Sequence, residues 1–301
     1  MIKSVKVTNY LGESLTMELR APAKSGVAVL GVEGLNPPKA NINISNLANA
    51  DGGVFNSARA TVRNILVYLK PYKSDMEVGR RKIYKYFPIK RNVELTFETD
   101  QGLSVKAIGY VESNDVAVFS SNGILQISIL CPSSYLESVA TQVSVVSGIQ
   151  ANFTFPFMND SLDEKLIEFG SYKRNRGTNI HYEGDAETGI KIKLSASGTA
   201  TNVTIYNSAT RQIMKIDTDK LQTLTGNPII AGDVIDISTV IGNKYARLVR
   251  GGVITNILNV LERPVDWFKL IKGDNVFAYV AETGDDKISL QIENKTLYEG
   301  I

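Results

Sequence analysis

The chain is 301 residues long, 43% hydrophobic and 21% charged, which is ordinary for a globular protein of about two domains. Its thirty-three Lys and Arg nearly cancel thirty-one Asp and Glu, so the whole chain has no electrostatic preference for nucleic acid or an anionic membrane, and neither is an expected partner. Cys131 is the single cysteine and His181 the single histidine, which excludes an internal disulfide and any Cys-rich or His-rich metal site, so we expect no cofactor.

The amino terminus begins a series of predicted strands. It lacks the unbroken apolar core of a signal peptide, and no run approaches the ~20 apolar residues that span a bilayer, so synthesis in the cytosol is expected. Apolar residues then alternate with polar ones, as half-buried strands require. Ile42 and Ile44, set between asparagines, predict a strand with one wet face. Asn46–Ser57 contains Asn-Ala-Asp-Gly-Gly and predicts a long exposed loop, and Arg59–Leu69 predicts a central strand.

The stretch 75–87 is the one segment of the first half that predicts a long helix. Ser74 and Glu77 form a capping box at its start, and Pro88 cannot continue it. The residues expected to pack on a sheet form one stripe, Met76, Ile83 and Phe87. The opposite side carries Arg81, Lys82 and Lys85, which indicates either a solvated face or a contact between subunits.

Strands and hairpin turns alternate from Val93 to Cys131, so residues 1–135 are predicted to be an antiparallel β domain with one helix. Cys131 ends an apolar strand face, which is typical of a small buried residue and not of a nucleophile. Residues 136–149 carry mostly small, polar and β-branched side chains and are predicted to be a linker.

Residues 150–301 are predicted to be a second β domain. Alternating strands separated by Gly and Asn turns recur at the spacing of a β-sandwich. Thr255–Glu262 predicts a short helix, and Trp267 and Phe268 are expected to fill the sandwich core. The fold class is therefore mainly β, with two domains.

The sequence offers no catalytic set. Asp233 and Asp236 lie at an odd separation on a strand and should point to opposite faces, and His181 is expected to be structural. We therefore expect no enzymatic activity. Exposed tyrosines of the second domain can stack on sugar rings, and the candidate glycan contacts are Tyr182, Tyr206 and Tyr245.

Several sequence blocks, in their order and spacing, resemble the distal tail protein family of long-tailed, non-contractile bacteriophages and related prophages. Those of the first domain are Gly31 to Gly34 followed by Pro37-Pro38, Asp51-Gly52, Arg63 to Val67, Ile83 to Lys90, Gly109 to Glu112 and Gln126 to Tyr135. Looser blocks of the second domain are Gly184 to Gly189, Gly232-Asp233, Gly273 to Asn275 and Tyr298 to Ile301.

The resemblance implies a structural adaptor without catalytic activity at the virion tail tip, assembled in the host cytoplasm. It implies that the first domain builds a ring, usually hexameric, and that the second is a galectin-like β-sandwich. The implied partners are other copies of the chain, the major tail tube protein, the tail-tip hub protein and a receptor-binding protein. The alternative function is a carbohydrate-binding module that contacts host cell-wall glycan.

A ring requires a heterologous interface repeated by rotation, which unpaired sheet edges and a charged helix can supply. The polar loop Asn46–Ser57 is expected to become ordered across a neighbouring subunit. Basic side chains are expected to form ion pairs between subunits. The candidate ring-interface residues are Asp51, Gly52, Arg63, Arg80, Arg81, Tyr84 and Lys85.

Overall fold

A computed structural model of the chain describes residues 1–47, 51–73, 75–116, 123–151, 170–173 and 177–301, with the backbone alone described for 148–151 and 170–173. The chain divides into two compact units. The first is Met1–Ala140 together with Leu297–Ile301, and the second is Thr141–Thr296. The predicted class, mainly β and antiparallel, is confirmed.

The first unit is built on one large antiparallel sheet. Its strands are β1 (Ile2–Asn9), β2 (Ser14–Glu18), β3 (Val27–Glu33), β4 (Ala40–Asn46), β5 (Gly53–Ala60), β6 (Arg63–Pro71), β7 (Asn92–Thr99), β8 (Ser104–Val116), β9 (Leu125–Cys131) and β10 (Leu136–Ser138); its helices are α1 (Pro22–Ser25) and α2 (Met76–Tyr86). The sheet order is β2-β1-β7-β8-β9-β6-β3, with β10 paired to β8. Strands β4 and β5 form a separate two-stranded sheet.

Helix α2 lies within the predicted span and packs on this sheet. Its N-cap is Asp75, whose carboxylate accepts a hydrogen bond from the backbone N–H of Glu77 at 3.0 Å; Ser74, the predicted cap, lies outside the described residues. Ile83 and Phe87 are buried in the core, as the apolar stripe predicts. The short helix α1 was not predicted, because four residues are too few for a periodicity signal.

The second unit has two facing sheets. Its elements are β11 (Gln142–Ala151), β12 (Gly170–Lys173), β13 (Gly177–Tyr182), β14 (Thr188–Gly189), β15 (Lys191–Ala196), β16 (Val203–Asn207), β17 (Gln212–Ile216), α3 (Thr218–Thr225), β18 (Val234–Ser238), β19 (Tyr245–Arg250), β20 (Val253–Asn256), β21 (Lys269–Leu270), β22 (Gly273–Val280) and β23 (Ile288–Asn294). The sheets run β12-β11-β23-β15-β18-β19-β20 and β13-β22-β16-β17, and β14 pairs with β21. Residues from both sheets share one core, as in a sandwich.

The one helix predicted for the second unit was wrong, and a different helix was missed. Residues 255–262 contain the end of β20 and a short 3-10 turn at Leu258–Val260. The helix of this unit is α3, where the Asp217 carboxylate caps the backbone N–H groups of Asp219 and Lys220. Polar residues dominate α3, so its apolar periodicity is too weak to predict a helix from the sequence.

The segment 136–149, predicted to be a linker, consists largely of strand. It contains β10 and most of β11. Leu136 is buried in the core of the first unit and Val146 in that of the second. The chain also returns to the first unit at its end, where β24 (Leu297–Tyr298) pairs with β10. The second unit is therefore an insertion between two paired strands of the first.

Arg63 connects four segments of the first unit. Its side chain is only 3% exposed. Nε donates a hydrogen bond to the carbonyl of Ser134, Nη1 donates to the carbonyls of Gly34 and Asn36, and Nη2 donates to the carbonyl of Glu299. Carbonyl dipoles thus solvate a buried cation, and the last residues of the chain are fixed by that contact.

Gly34 is required at this junction. Its φ of 85° lies in the left-handed region, and a Cβ there would lie 2.0 Å from the carbonyl oxygen of Asn64. Only glycine allows this backbone approach.

Replacing Arg63 with glutamine should destabilise the first unit by roughly 3 kcal/mol or more, because buried carbonyls lose a charged donor. Urea unfolding followed by circular dichroism measures this, while Trp267 fluorescence reports on the second unit and should change little. The matched control is Arg59→Gln on the exposed strand β5, expected within about 0.5 kcal/mol of the parent. Equal losses in the two variants would contradict the structural role of Arg63.

Candidate functional site

The β4–β5 hairpin is exposed over nearly its whole length. Every residue of β4, and every residue of β5 except the half-buried Ala60, is exposed. Among the described residues the two strands pair only with each other. A two-stranded hairpin is at best marginally stable in water, so its side chains favour a further contact.

The hairpin has one apolar face. Ile42 lies opposite Ala58 and Ile44 opposite Phe55. The three large side chains Ile42, Ile44 and Phe55 are 60%, 56% and 63% exposed. The other face is mostly polar, with Asn41 opposite Arg59 and Asn43 opposite Ser57. Fully burying one large aliphatic or aromatic side chain contributes about 1.5–3 kcal/mol, so covering this face would be strongly favourable.

The prediction of a long loop at Asn46–Ser57 was wrong for its second half, because strand β5 begins at Gly53. Residues 48–50 of that stretch lie outside the described residues. Asp51 and Gly52 precede the strand, and Gly52 has a φ of 93°. The abundance of turn residues hid the pairing of Val54 and Phe55 with β4. The apolar face, including Phe55, is the functional feature that sequence reasoning missed.

The basic residues of α2 form a second exposed surface. Arg80 is half-buried, and Arg81, Tyr84 and Lys85 are exposed. Arg81 pairs with Glu77 at 2.6 Å within the helix.

Lys85 on α2 pairs with Glu13 at 2.7 Å. This hydrogen-bonded ion pair lowers the pKa of the Glu13 carboxyl and raises the pKa of Lys85. Part of the positive charge of the helix is therefore neutralised within the unit.

The predicted interface residues fall into three places. Asp51 and Gly52 directly precede strand β5, and the α2 residues share one helix. Arg63, in contrast, is buried and donates to carbonyls of its own unit. It is therefore removed from the candidate interface. The sequence could not reveal this, because the acceptors are backbone carbonyls, which every residue type has.

Two of the three candidate glycan contacts are unavailable for stacking. Tyr182 is buried and donates its hydroxyl to the carbonyl of Ala186 at 2.8 Å. The ring of Tyr245 is covered by the Arg247 guanidinium at 4.2 Å, a cation–π contact, and its hydroxyl is bonded to Asp236. Tyr206 remains exposed on β16.

The carboxylates of the second unit serve structural contacts. Asp233 is buried and pairs with Arg250 at 2.6 Å, whereas Asp236 accepts from Tyr245. The two side chains have different partners, as strand alternation predicts.

His181 Nδ1 lies 2.7 Å from Oδ1 of Asp274, directly across from it on β22. This hydrogen bond raises the pKa of His181 and lowers that of Asp274. Within the described parts of the chain, no group of three or more His, Cys, Asp or Glu residues is arranged to hold a metal ion.

No helix in the described ranges is both long and apolar enough to cross a membrane.

Comparison with known proteins identifies a fold class. No protein-family model and no curated protein sequence matches the chain. Solved structures that match include proteins of a phage hub adsorption apparatus and of a phage baseplate.

One match is the Dit protein of phage SPP1, described as a paradigm of the hub adsorption apparatus in phages that infect Gram-positive bacteria. It aligns with a TM-score of 0.64 and 14% identity over 97% of this chain and 98% of that chain. A chain of the phage P2 baseplate in its activated conformation with Ca aligns with a TM-score of 0.52 and 14% identity over 98% and 99%. The same baseplate with Sr gives a TM-score of 0.51 at 14% identity over 97% and 98%. The chain therefore has the fold of these proteins, as the resemblance to distal tail proteins predicts.

The His181–Asp274 pair predicts that the stability of the second unit depends on pH. A histidine whose pKa is raised on folding contributes its full stability below the unfolded pKa, near 6.5, and that contribution is lost as the pH rises through the folded pKa. An aspartate whose pKa is lowered on folding contributes its full stability above the unfolded pKa, about 3.9, and that contribution is lost as the pH falls further. The pair should therefore stabilise most between about pH 4 and 6.5.

Thermal unfolding followed by Trp267 fluorescence checks this. The difference in Tm between the parent and Asp274→Asn should be larger at pH 5.5 than at pH 8.5, and His181→Gln should remove that pH dependence. Glu183, 3.9 Å from Nε2, adds in the same direction as Asp274, so Glu183→Gln should reduce the effect less. A difference independent of pH would contradict the assignment.

Proposed function

We propose that the chain is a structural subunit of a phage tail tip, which assembles as a ring that is most simply a hexamer. The ring joins the tail tube to the tail-tip hub and to the receptor-binding apparatus, and the chain works there without catalysis. The match to phage hub and baseplate chains over nearly the full length of both supports this function. The location that follows is the virion tail tip, after assembly in the host cytoplasm.

The observation that carries the proposal is the uncovered apolar face of the β4–β5 hairpin. A single chain leaves Ile42, Ile44 and Phe55 in water, and contiguous exposed apolar surface marks a protein contact. When the arm of one copy docks on a different surface of the next copy, the contact is heterologous, and it closes into a ring when repeated by rotation.

The basic face of α2 supplies the second part of the proposed interface. Arg80 makes no ion pair with another described residue, and Arg81 is paired only within its own helix. Both side chains are therefore able to meet carboxylates of an adjoining subunit. Exposed ion pairs contribute at most about 1 kcal/mol each, so this surface is expected to set orientation more than affinity.

The first test is the mass of the purified protein by light scattering after size exclusion. We expect roughly six times the 32.9 kDa chain, with rings visible by negative stain. Phe55→Asp should reduce the mass to that of one chain, because it places a charge in the apolar contact.

Ser57→Asp is the matched control for that test. It adds the same charge to the polar face of the same strand and should leave the assembly intact. Equal masses for the two variants, whether both assembled or both monomeric, would contradict the apolar face as the contact.

A double charge reversal, Arg80→Glu with Arg81→Glu, should weaken the assembly, with a larger effect at low salt because screening reduces the contribution of exposed charges. Dilution with mass photometry measures the concentration at which rings dissociate. Lys191→Glu with Lys193→Glu makes the same change in net charge on the exposed face of β15 in the second unit and is expected to have no effect on assembly. Unchanged dissociation in the α2 variant would remove Arg80 and Arg81 from the interface.

A further inference from the structure

We propose that the outer face of the seven-stranded sheet in the second unit binds an acidic glycan. The face pairs its cations with the carboxylates of uronic acid residues and hydrogen-bonds the sugar hydroxyls. This activity goes beyond the structural role in the ring and does not depend on it, because every residue involved lies in the second unit.

A continuous band of hydrogen-bonding side chains crosses this face. It is formed by residues at directly paired positions on five neighbouring strands, in the order Gln291, Lys193, Asp236, Arg247 and Asn256. None of the five is buried, whereas the residues that alternate with the first four along their strands lie in the core. Neighbouring strands lie about 4.8 Å apart, so the band is roughly 19 Å long. It is therefore long enough to contact several sugar rings of one glycan chain.

The guanidinium of Arg247 is held in place while its N–H donors stay free. It lies 4.2 Å from the centroid of the Tyr245 ring, a cation–π contact. The Tyr245 hydroxyl donates a 3.0 Å hydrogen bond to Asp236, which fixes that ring. No hydrogen bond or ion pair joins Arg247 to another described residue. Because a planar guanidinium matches the two oxygens of a carboxylate, Arg247 is preorganised to bind one.

Two more cations on the face favour an acidic ligand. Lys191 and Lys193 on β15 are exposed, and no ion pair joins either of them to another described residue. The band and the row that contains Lys191 together hold these two lysines and Arg247 against two carboxylates, Asp236 and Glu293. Surplus positive charge and unpaired donors select a ligand that carries anions.

The band also offers partners for hydroxyl groups. Asp236 keeps acceptor capacity beyond its bond to Tyr245, because an ionised carboxylate has about four lone-pair sites. Asn256 Oδ1 accepts from the backbone N–H of Leu258, which orients the amide donors of Asn256. The amide of Gln291 both donates and accepts. Neighbouring hydroxyls on a sugar ring require this mixture of donors and acceptors.

A protein partner fits this face less well than a glycan. The centres of protein interfaces are depleted of charged residues, and three of the five band positions are charged. Apolar side chains occur only beside the band, where Val234, Val249 and Ile254 occupy paired positions on three strands. The apolar face of a sugar ring can pack there while its hydroxyls reach the band.

Calorimetric titration of the full chain with oligogalacturonate and with hyaluronan oligosaccharides tests the proposal. The parent should bind at least one of them saturably, with an affinity that falls as salt is added, because salt screens exposed charges. Arg247→Gln should lower that affinity about tenfold through loss of the charged, paired donors. Arg211→Gln is the matched control, because it removes the same charge from an exposed residue just before β17 in the other sheet. It should bind like the parent.

Two changes at Tyr245 test how Arg247 is held. Tyr245→Leu removes the ring beneath the guanidinium and should lower the affinity about two- to fivefold. Tyr245→Phe keeps the ring and loses only the bond to Asp236, so it should bind more tightly than Tyr245→Leu. Thermal unfolding followed by Trp267 fluorescence verifies that each variant is folded during the titration. Parent-like binding by Tyr245→Leu would overturn the preorganisation of Arg247.

Matched ligands separate the parts of the proposal. Carboxyl-reduced oligogalacturonate keeps the sugar rings without the acid groups, and its binding as tightly as the acid form would overturn the ion pairs. Polyphosphate carries charge without sugar rings, and equally tight binding of polyphosphate would overturn the glycan as the ligand. If neither uronic acid probe binds saturably at millimolar concentration, the proposal is wrong. None of these results bears on the mass of the assembled ring, so the two proposals fail separately.

Discussion

The exposed hairpin depends on one buried guanidinium. Arg63 follows the hairpin in the chain, and it donates to the carbonyls of Gly34 and Asn36, which precede the hairpin. Both ends of the arm are therefore held by a single side chain. Thr61 adds two hydrogen bonds to the carbonyl of Lys39, from its backbone N–H and from its hydroxyl. The arm thus projects from a fixed base, and docking needs to order little more than its side chains.

The same guanidinium couples the arm to the end of the chain. Its bond to the carbonyl of Glu299 fixes the segment that returns from the second unit, and the backbone N–H of Ile301 donates to the carbonyl of Leu35 at 3.1 Å. A buried cation without its carbonyl partners would cost several kcal/mol. The base of the arm and the return of the chain are therefore expected to form together.

The sequence could predict those features that local periodicity determines. The strands and helix α2 follow from alternation and from an apolar stripe with clear ends. Features set by distant pairing could not be predicted. Leu297 and Tyr298 join a strand more than 150 residues earlier in the chain, and no local pattern marks that pairing. Arg63 looks like any surface cation, because its partners are backbone carbonyls up to 236 residues away. Only part of the candidate site could be predicted from the sequence. Ile42 and Ile44 predicted a strand, whereas the strand that contains Phe55 was not predicted, because turn residues surround it.

A fixed arm also determines how many copies a ring can contain. In a head-to-tail assembly the rotation per subunit is the angle between the donor surface and the acceptor surface of one chain. In the proposed ring the donor surface is the arm, whose base is held by Arg63. A change at Phe55 would alter the strength of the contact and leave the direction of the arm unchanged. Subunit number should therefore depend on the packing around Arg63 and Gly34, where a small shift of the base would swing the whole arm.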